Sequence, residues 1–253
     1  MSLSVGLITY NEERRLGRTL ETIKNIADDI IIVDSNSTDN TVEIAKEYGA
    51  KVYVENWKGY GLQKNSVIEK CTKDWILLID ADEVISDDLS KKILEVIKES
   101  KEELYDINFT SVCFGKKIKH GGWSGSYRIR LFKNGIGKYN DNVVHESFET
   151  KGIKGKLVEE IFHYSYEDLS DYLSKFNRYT SEGAKEYYKR GKKANFFGIV
   201  INPIFKFIRM YFFRLGFLDG VEGLLLAILS SNYTMVKYYK LLELNRRDKN
   251  GDK

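Results

Sequence analysis

The chain has 253 residues, 42% hydrophobic and 30% charged, with a formal net charge of +3. That is an ordinary globular composition, sized for one α/β domain or one domain with an appendage, and its charge is too small to imply nucleic acid. No apolar run approaches the roughly 18 residues of a membrane span, and Cys71 and Cys113 are too few for a disulfide framework or a zinc set, which points to a reducing compartment.

The amino-terminal stretch M-S-L-S-V-G-L-I-T-Y lacks a basic n-region, so no signal peptide is expected. Leu3 to Thr9 reads as a buried strand, and Asn11 can cap a helix over Glu12 to Ile26 with Leu16, Leu20 and Ile23 inward. Ile30 to Val33 is a second strand ending in D-S-N-S-T-D-N-T. Asp39 or Asn40 starts a helix that Gly49 stops, and Lys51 to Val54 is a short third strand. A helix through Asn65, Val67 and Ile68 follows. The fourth strand, from Trp75, runs five apolar residues straight into Asp80, Asp82 and Glu83. Alternating strands and helices with short connections predict a mostly parallel, doubly wound sheet, whose ligands bind at the carboxyl ends of the strands. Burying acids is costly unless they are paired or hold a cation, so this acidic strand end is a candidate cation site; an acidic surface turn is the plain alternative.

Neither G-x-G-x-x-G nor a Walker phosphate loop occurs, which counts against hydride transfer and ATPase chemistry. Thr9, Asn11, Glu12, Asp34, Ser35 and Ser37 instead place polar side chains at strand ends, where they can hydrogen-bond a base and a ribose. Asn11, Ser37 and Asp39 are equally good capping residues.

Ser86 caps the next helix, and Tyr105 to Phe114 reads as a strand. The glycine-rich segment G-K-K-I-K-H-G-G-W-S-G-S reads as a loop whose Trp123 either stacks on a ligand or plugs a core. Tyr127 to Phe132 puts Arg128 and Arg130 on one strand face, suited to a pyrophosphate or to a sheet carboxylate. His145 and Glu146 follow an apolar pair. His163 closes the segment Lys156 to Phe162, as a ligand or as a satisfied buried imidazole.

After His163 the composition shifts: residues 164–253 hold 16 Lys/Arg against 10 Asp/Glu, a net of +6, leaving residues 1–163 at −3. The boundary predicts a catalytic domain over 1–163 and a helical extension over 164–253. The extension reads as a long helix over Asp168 to Lys189, a basic aromatic helix after Pro203, an apolar stretch from Gly223 to Leu229 and a last helix from Tyr233 to Leu244. Lys206, Arg209 and Arg214 lie on one side of the Pro203 helix, opposite Ile204, Phe207, Ile208, Tyr211 and Leu215. That pattern suits an anionic membrane surface, internal helix packing or a homodimer contact.

Taken in order, T-Y-N-E-E, V-D-S-N-S-T-D-N-T and L-I-D-A-D-E resemble the inverting glycosyltransferases of family 2. R-I-R-L-F-K, V-V-H-E, I-F-H-Y-S-Y, Y-L-S-K-F-N-R-Y-T and L-D-G-V-E-G resemble the branch with the glucosyltransferases of lipopolysaccharide inner-core assembly. The resemblance implies a Rossmann-like, nucleotide-sugar-binding A-type glycosyltransferase domain, a mostly parallel mixed sheet flanked by helices, with an α-helical carboxy-terminal extension. It implies transfer of a sugar, glucose by the branch, from a UDP-sugar to a hydroxyl of a glycolipid or oligosaccharide acceptor. Thr9, Asn11, Glu12, Asp34, Ser35, Ser37, Lys64, Asp80, Trp123 and Arg128 are the donor-binding candidates it implies. Asp82 with His163 would hold Mg²⁺ or Mn²⁺, hard ions suited to carboxylates and phosphates. The Glu-Asp pair that carries the base in many relatives does not occur in the expected region after the D-x-D strand; Glu146 stands at the corresponding place, with His145 as the rival. The implied location is peripheral, on the cytoplasmic face of the inner membrane. A nucleotidyltransferase and a non-catalytic membrane-surface protein are the competing readings.

Overall fold

The computed structural model describes residues 1–99, 101–140 and 147–250, and it divides into two compact units. The first holds residues 1–109 and 126–164; the second holds 110–125 and 165–253. The second unit thus takes in the glycine-rich segment as well as the residues after 164.

In the first unit, β1 (Leu3–Thr9), β2 (Asp29–Asp34), β3 (Lys51–Val54) and β4 (Trp75–Leu78) are parallel neighbours. They alternate with α1 (Leu16–Ile23), α2 (Thr41–Glu47) and α3 (Tyr60–Lys70). The acidic stretch does not continue as one strand. β4 stops at Leu78, and Glu83–Ile85 forms a separate β5, followed by α4 (Asp87–Glu99), whose Leu89 amide donates to Ser86 Oγ at 3.1 Å. The remaining strands are β6 (Leu104–Cys113), β7 (Lys116–Lys117), β8 (Ser124–Lys133), the pair β9 (Gly137–Tyr139) and β10 (Phe148–Thr150), and β11 (Lys154–Tyr166). The sheet runs β3-β2-β1-β4-β8-β6-β11-β5, with β8 antiparallel to β4 and β5 antiparallel to β11. The sheet is therefore mixed, its parallel half carrying the amino-terminal strands.

Alternation along the strands explains the two cores. Leu3, Val5, Leu7, Trp75, Leu77 and Ile79 pack with Leu16, Leu20 and Ile23 of α1 and Leu89 and Ile93 of α4. Ile31, Val33, Ile76 and Leu78 turn the other way, onto Val67 of α3. Gly6 lies under α3 on that second side. A Cβ there would stand 2.4 Å from Val67 Cγ1 and 3.2 Å from Leu78 Cδ1, and a β-branched valine has little freedom to move aside. Gly6→Ala is expected to destabilise the chain by about 1–3 kcal/mol through overpacking. A urea midpoint equal to that of the parent would disprove this contact.

The second unit is mainly helical. Asp168 caps α5 (Leu169–Lys189) by accepting from the Asp171 amide at 2.7 Å. One helix, α7 (Gly220–Asn250), takes in both the apolar stretch from Gly223 to Leu229 and the last expected helix from Tyr233. Between α5 and α7 run π-turns over Phe197–Ile201 and Arg209–Phe213, flanking α6 (Asn202–Ile208), and a 3₁₀ turn over Gly216–Asp219. α5 docks on α7 through Tyr172 Oη on the Leu229 carbonyl at 3.0 Å and Lys240 Nζ on Asn177 Oδ1 at 2.8 Å. α6 docks through Ser231 Oγ on the Pro203 carbonyl at 2.8 Å. Among the described residues no helix is long and apolar enough to cross a membrane.

Candidate functional site

Parallel register brings the ends of β1, β2 and β4 to one edge of the sheet. Thr9 pairs opposite Asp34, and the Thr9 hydroxyl donates to Asp34 Oδ2 at 2.8 Å. Asp34 also accepts from the Ser37 amide at 2.8 Å and the Ser37 hydroxyl at 2.5 Å. Ser37 Oγ in turn accepts from the Asn11 amide, while Asn11 Oδ1 accepts from the Thr38 amide, both at 2.8 Å. These bonds fasten the loop after β1 to the loop after β2. Asn11 therefore does not cap α1; it sits in the left-handed region at φ 54°, its side chain already spent on Thr38. Glu12 donates its amide to Thr41 Oγ1 at 2.8 Å and sets its carboxylate 3.3 Å from Arg15. Ser35 is buried and accepts from Gln63 Nε2 at 3.2 Å.

The acidic strand end is a charge network. Arg130, on β8 one residue before the Leu131 that pairs with Leu77, is buried and donates to Asp80 Oδ2 at 2.7 Å and Glu83 Oε1 at 2.5 Å. Lys64, buried on α3, brings Nζ to 3.9 Å from Asp80 Oδ1 and faces the Tyr139 ring. Glu83 Oε2 accepts the Asp80 amide at 2.9 Å. The Asp80 side chain is 31% exposed and that of Glu83 is fully buried, so one guanidinium joins an accessible carboxylate to an inaccessible one.

Burial alone would raise the pKa of Asp80, but the charges of Arg130 and Lys64 outweigh it and hold the carboxyl well below the usual range. Burial pushes Glu83 upward, against the pull of Arg130 and with a further push from Asp80. Asp82 points apart from this cluster, with its Oδ2 3.4 Å from His163 Nε2. His163 lies within β11, paired opposite Glu83, rather than at a strand end. Burial would lower its pKa; the hydrogen bond to Asp82 and the nearby carboxylates raise it.

Sequence pattern and structure diverge at the arginines. Arg128 is exposed, with its guanidinium 5.0 Å from the Phe109 ring centroid, whereas the carboxylate partner on the same face is Arg130. Arg130 precedes the apolar pair Leu131-Phe132 and is drawn under the sheet edge with it, a signal present in R-I-R-L-F but equal in weight to its neighbour. Gln63, fully buried between Ser35 and the Lys58 amide, carries no sequence signal, because a lone glutamine on a helix has no distinguishing pattern. Trp123 belongs to the second unit, packed with Phe114 and Tyr166 on the core formed by Cys113, Ile118 and Leu226. It fills that core, which accounts for its place in a glycine-rich segment. His145 and Glu146 lie outside the described residues.

Among the described residues no three His, Cys, Asp or Glu side chains gather as a metal cage. Asp82, 21% exposed beside His163, supplies a hard oxygen donor at the open sheet edge. Magnesium is commonly held by one or two carboxylates completed with substrate phosphates and water rather than by a full protein cage, so this donor set fits an ion that arrives with a diphosphate.

Comparison with known proteins covers most of the chain. The family model for glycosyl transferase family 2 matches residues 4–162. An uncharacterized glycosyltransferase of Rickettsia typhi is 32% identical over 261 residues, spanning 98% of this chain and 89% of its own. The lipopolysaccharide core biosynthesis glycosyltransferase LpsC of Rhizobium meliloti is 27% identical, spanning 96% of this chain and 93% of its own. Among solved structures, residues 1–349 of TarS from S. aureus superpose with a TM-score of 0.47 at 15% identity, over 98% of this chain and 92% of that one.

Proposed function

The chain belongs to glycosyl transferase family 2, and from that premise we propose that it transfers a sugar, with inversion, from a UDP-sugar to a hydroxyl of a lipopolysaccharide-core-like glycolipid. Glucose is the proposed sugar. The observation that carries the reading is Asp80, kept ionised by Arg130 and Lys64, beside Asp82 at the edge where β1, β2 and β4 end. The lipid acceptor is favoured by the likeness to LpsC and by the motifs after β8. It would place the enzyme peripherally on the cytoplasmic face of an inner membrane.

In this reading Asp34, braced by Thr9 and Ser37, receives the uracil side of the donor, with Ser35 and Asn11 alongside. Asp80 faces the ribose. Asp82, with His163 beside it, would hold Mg²⁺ or Mn²⁺, and the bound ion would supply positive charge to offset that developing on the departing diphosphate. Lys64 adds a fixed positive charge near the same edge. Glu146, or His145 in its place, takes the proton of the acceptor hydroxyl as that oxygen attacks C1 from the face opposite the nucleotide. A single displacement inverts the anomeric carbon through an oxocarbenium-like transition state and needs no covalent sugar intermediate. A nucleotidyltransferase would use the same acids, but the loop after β1 lacks the glycine- and lysine-rich pattern of a triphosphate site.

Calorimetric titration of UDP tests the donor site. Affinity is expected to rise with Mn²⁺ in the parent and to lose that increment in Asp82→Ala, while metal-free binding stays as it was. An increment that survives in Asp82→Ala removes this residue from the metal. Incubating a panel of UDP-sugars with isolated lipid core acceptor, read as a mass increase, tests donor and acceptor together; a hexose increment from UDP-glucose is expected.

A further inference from the structure

The segment from Tyr187 to Leu218 holds seven Lys and Arg and no Asp or Glu. It is also where the second unit leaves its large apolar side chains uncovered. Pro203 and Met210 are buried, and Gly198 lies so close to Tyr238 that a Cβ would stand 2.4 Å from its ring. Phe197, Ile201, Ile204, Ile208 and Phe212 recur at helical spacing and remain exposed, Phe197 at 65%. Phe213 is 75% exposed. The apolar surface continues through Leu215, Phe217 and Leu218 of the following turn into Val221, 76% exposed, and Leu224 and Ile228 of α7, again at helical spacing. Proteins that remain monomeric in water rarely expose apolar surface of this extent, and an apolar patch rimmed by polar and charged residues marks an interaction site.

The same segment supplies the cations. Arg209 and Arg214 are exposed and Lys206 is half-buried, and Lys206 feels the positive charges of Arg214, Arg209 and Lys237 of α7. Arg214 is additionally fixed by its carbonyl, which accepts the Gly121 amide at 2.9 Å. A helix that is aromatic and aliphatic on its outer face, with lysine and arginine reaching up beside it, lies in the plane of a bilayer with its rings among the acyl chains and its cations at the headgroups. A protein partner would have to match the charges of Lys206, Arg209 and Arg214 with acids as well as cover the rings. An anionic phospholipid surface supplies both at once.

We propose that the outer face of residues 196–228 is a membrane-docking surface that inserts its exposed aromatic and aliphatic side chains into an anionic phospholipid bilayer. The proposal deepens the reading of a lipid-held acceptor and rests on it, but the surface can be tested without turnover.

Flotation of the full chain with vesicles of phosphatidylethanolamine and phosphatidylglycerol should carry it to the vesicle layer, and phosphatidylcholine vesicles should carry much less. Phe213→Ser with Val221→Ser should weaken partitioning on the order of tenfold or more, from lost apolar insertion. Arg209→Gln should weaken it about fivefold, as for one cation near an anionic surface, whereas Arg209→Lys should bind like the parent. Matching circular-dichroism melts establish that these surface variants fold. No flotation by the parent, equal flotation with neutral and anionic vesicles, or variants that float like the parent each overturn the proposal. So does a lipid-free dimer that Phe213→Ser with Val221→Ser turns into monomer while vesicles go unbound, since the face is then a contact between copies. Transfer assays separate this from the catalytic reading. The double variant should fail only on vesicle-embedded acceptor and keep its rate on delipidated core oligosaccharide. Vesicle binding by the parent without transfer to either acceptor refutes the catalytic reading and leaves the docking surface standing.

Discussion

Arg130→Met should destabilise the chain by about 3–5 kcal/mol, the scale for removing one partner of a buried ion pair and leaving its charge unmatched. Glu83 is fully buried and Asp80 is half-buried, and both take their short hydrogen bonds from the same guanidinium. Lys64 stands 3.9 Å from Asp80 Oδ1, which gives Asp80 a second cation. Methionine fills similar volume, so the loss measures charge rather than a cavity. Restoring neutrality should recover part of it: Arg130→Met with Glu83→Gln is expected to have a urea midpoint clearly above that of Arg130→Met alone. A midpoint for Arg130→Met within experimental scatter of the parent would show that the buried carboxylate finds its compensation elsewhere, and the account of Asp80 as an acid held ionised by Arg130 would fall with it. Where the variant still folds, weaker UDP binding should accompany the loss, because Asp80 is no longer held toward the edge of the sheet.

The parallel half of the sheet could be read from sequence because its strands are covered on both faces. Leu3 to Thr9, Ile30 to Val33 and Trp75 to Ile79 are nearly unbroken apolar runs, and only burial on two sides selects such runs. The strand ends were legible for the same reason: polar residues placed directly after those runs must emerge at the edge. The antiparallel half was harder. Nothing in A-D-E-V-I announces that Glu83–Ile85 leaves β4 and pairs with β11, because that pairing depends on a partner lying some eighty positions later in the chain. Arg130 illustrates the limit best. Parity put it on a face with Arg128, but which arginine is drawn inward depends on the acids opposite, and Asp80 lies in the turn after β4 and Glu83 on β5. In the second unit, the break expected between Leu229 and Tyr233 does not occur. Ser230, Ser231 and Asn232 are weak helix formers, but Tyr233 reaches the Tyr179 carbonyl and Ser231 the Pro203 carbonyl, so packing on both sides carries α7 through them.

Glu146→Gln is expected to lower kcat by 10²–10⁴, roughly the share a positioned general base contributes, while UDP binds with unchanged affinity. Glutamine keeps the size and hydrogen-bonding reach of the side chain but cannot take a proton. An acceptor hydroxyl is a weak nucleophile, and its proton must leave as the bond to C1 forms. In a single displacement no enzyme-bound intermediate divides that demand into two steps, so losing the base raises the barrier to the whole reaction. Donor contacts from Asp34, Asp80 and Asp82 are separate from that step, which is why binding and turnover should part company. His145→Gln distinguishes the rival. If the imidazole is the base, His145→Gln takes the large loss and Glu146→Gln a small one. If Glu146 is the base, the order reverses, with His145→Gln changing kcat by far less. Full activity in Glu146→Gln removes that residue as the base, and full activity in both variants removes the whole V-V-H-E segment from proton transfer, shifting the search to the remaining carboxylates near the sheet edge. Hydrolysis of UDP-glucose in the absence of acceptor supplies the last control: attack by water needs the same proton removed, so it should fall in parallel with transfer if a base was lost and persist if only the acceptor was misplaced.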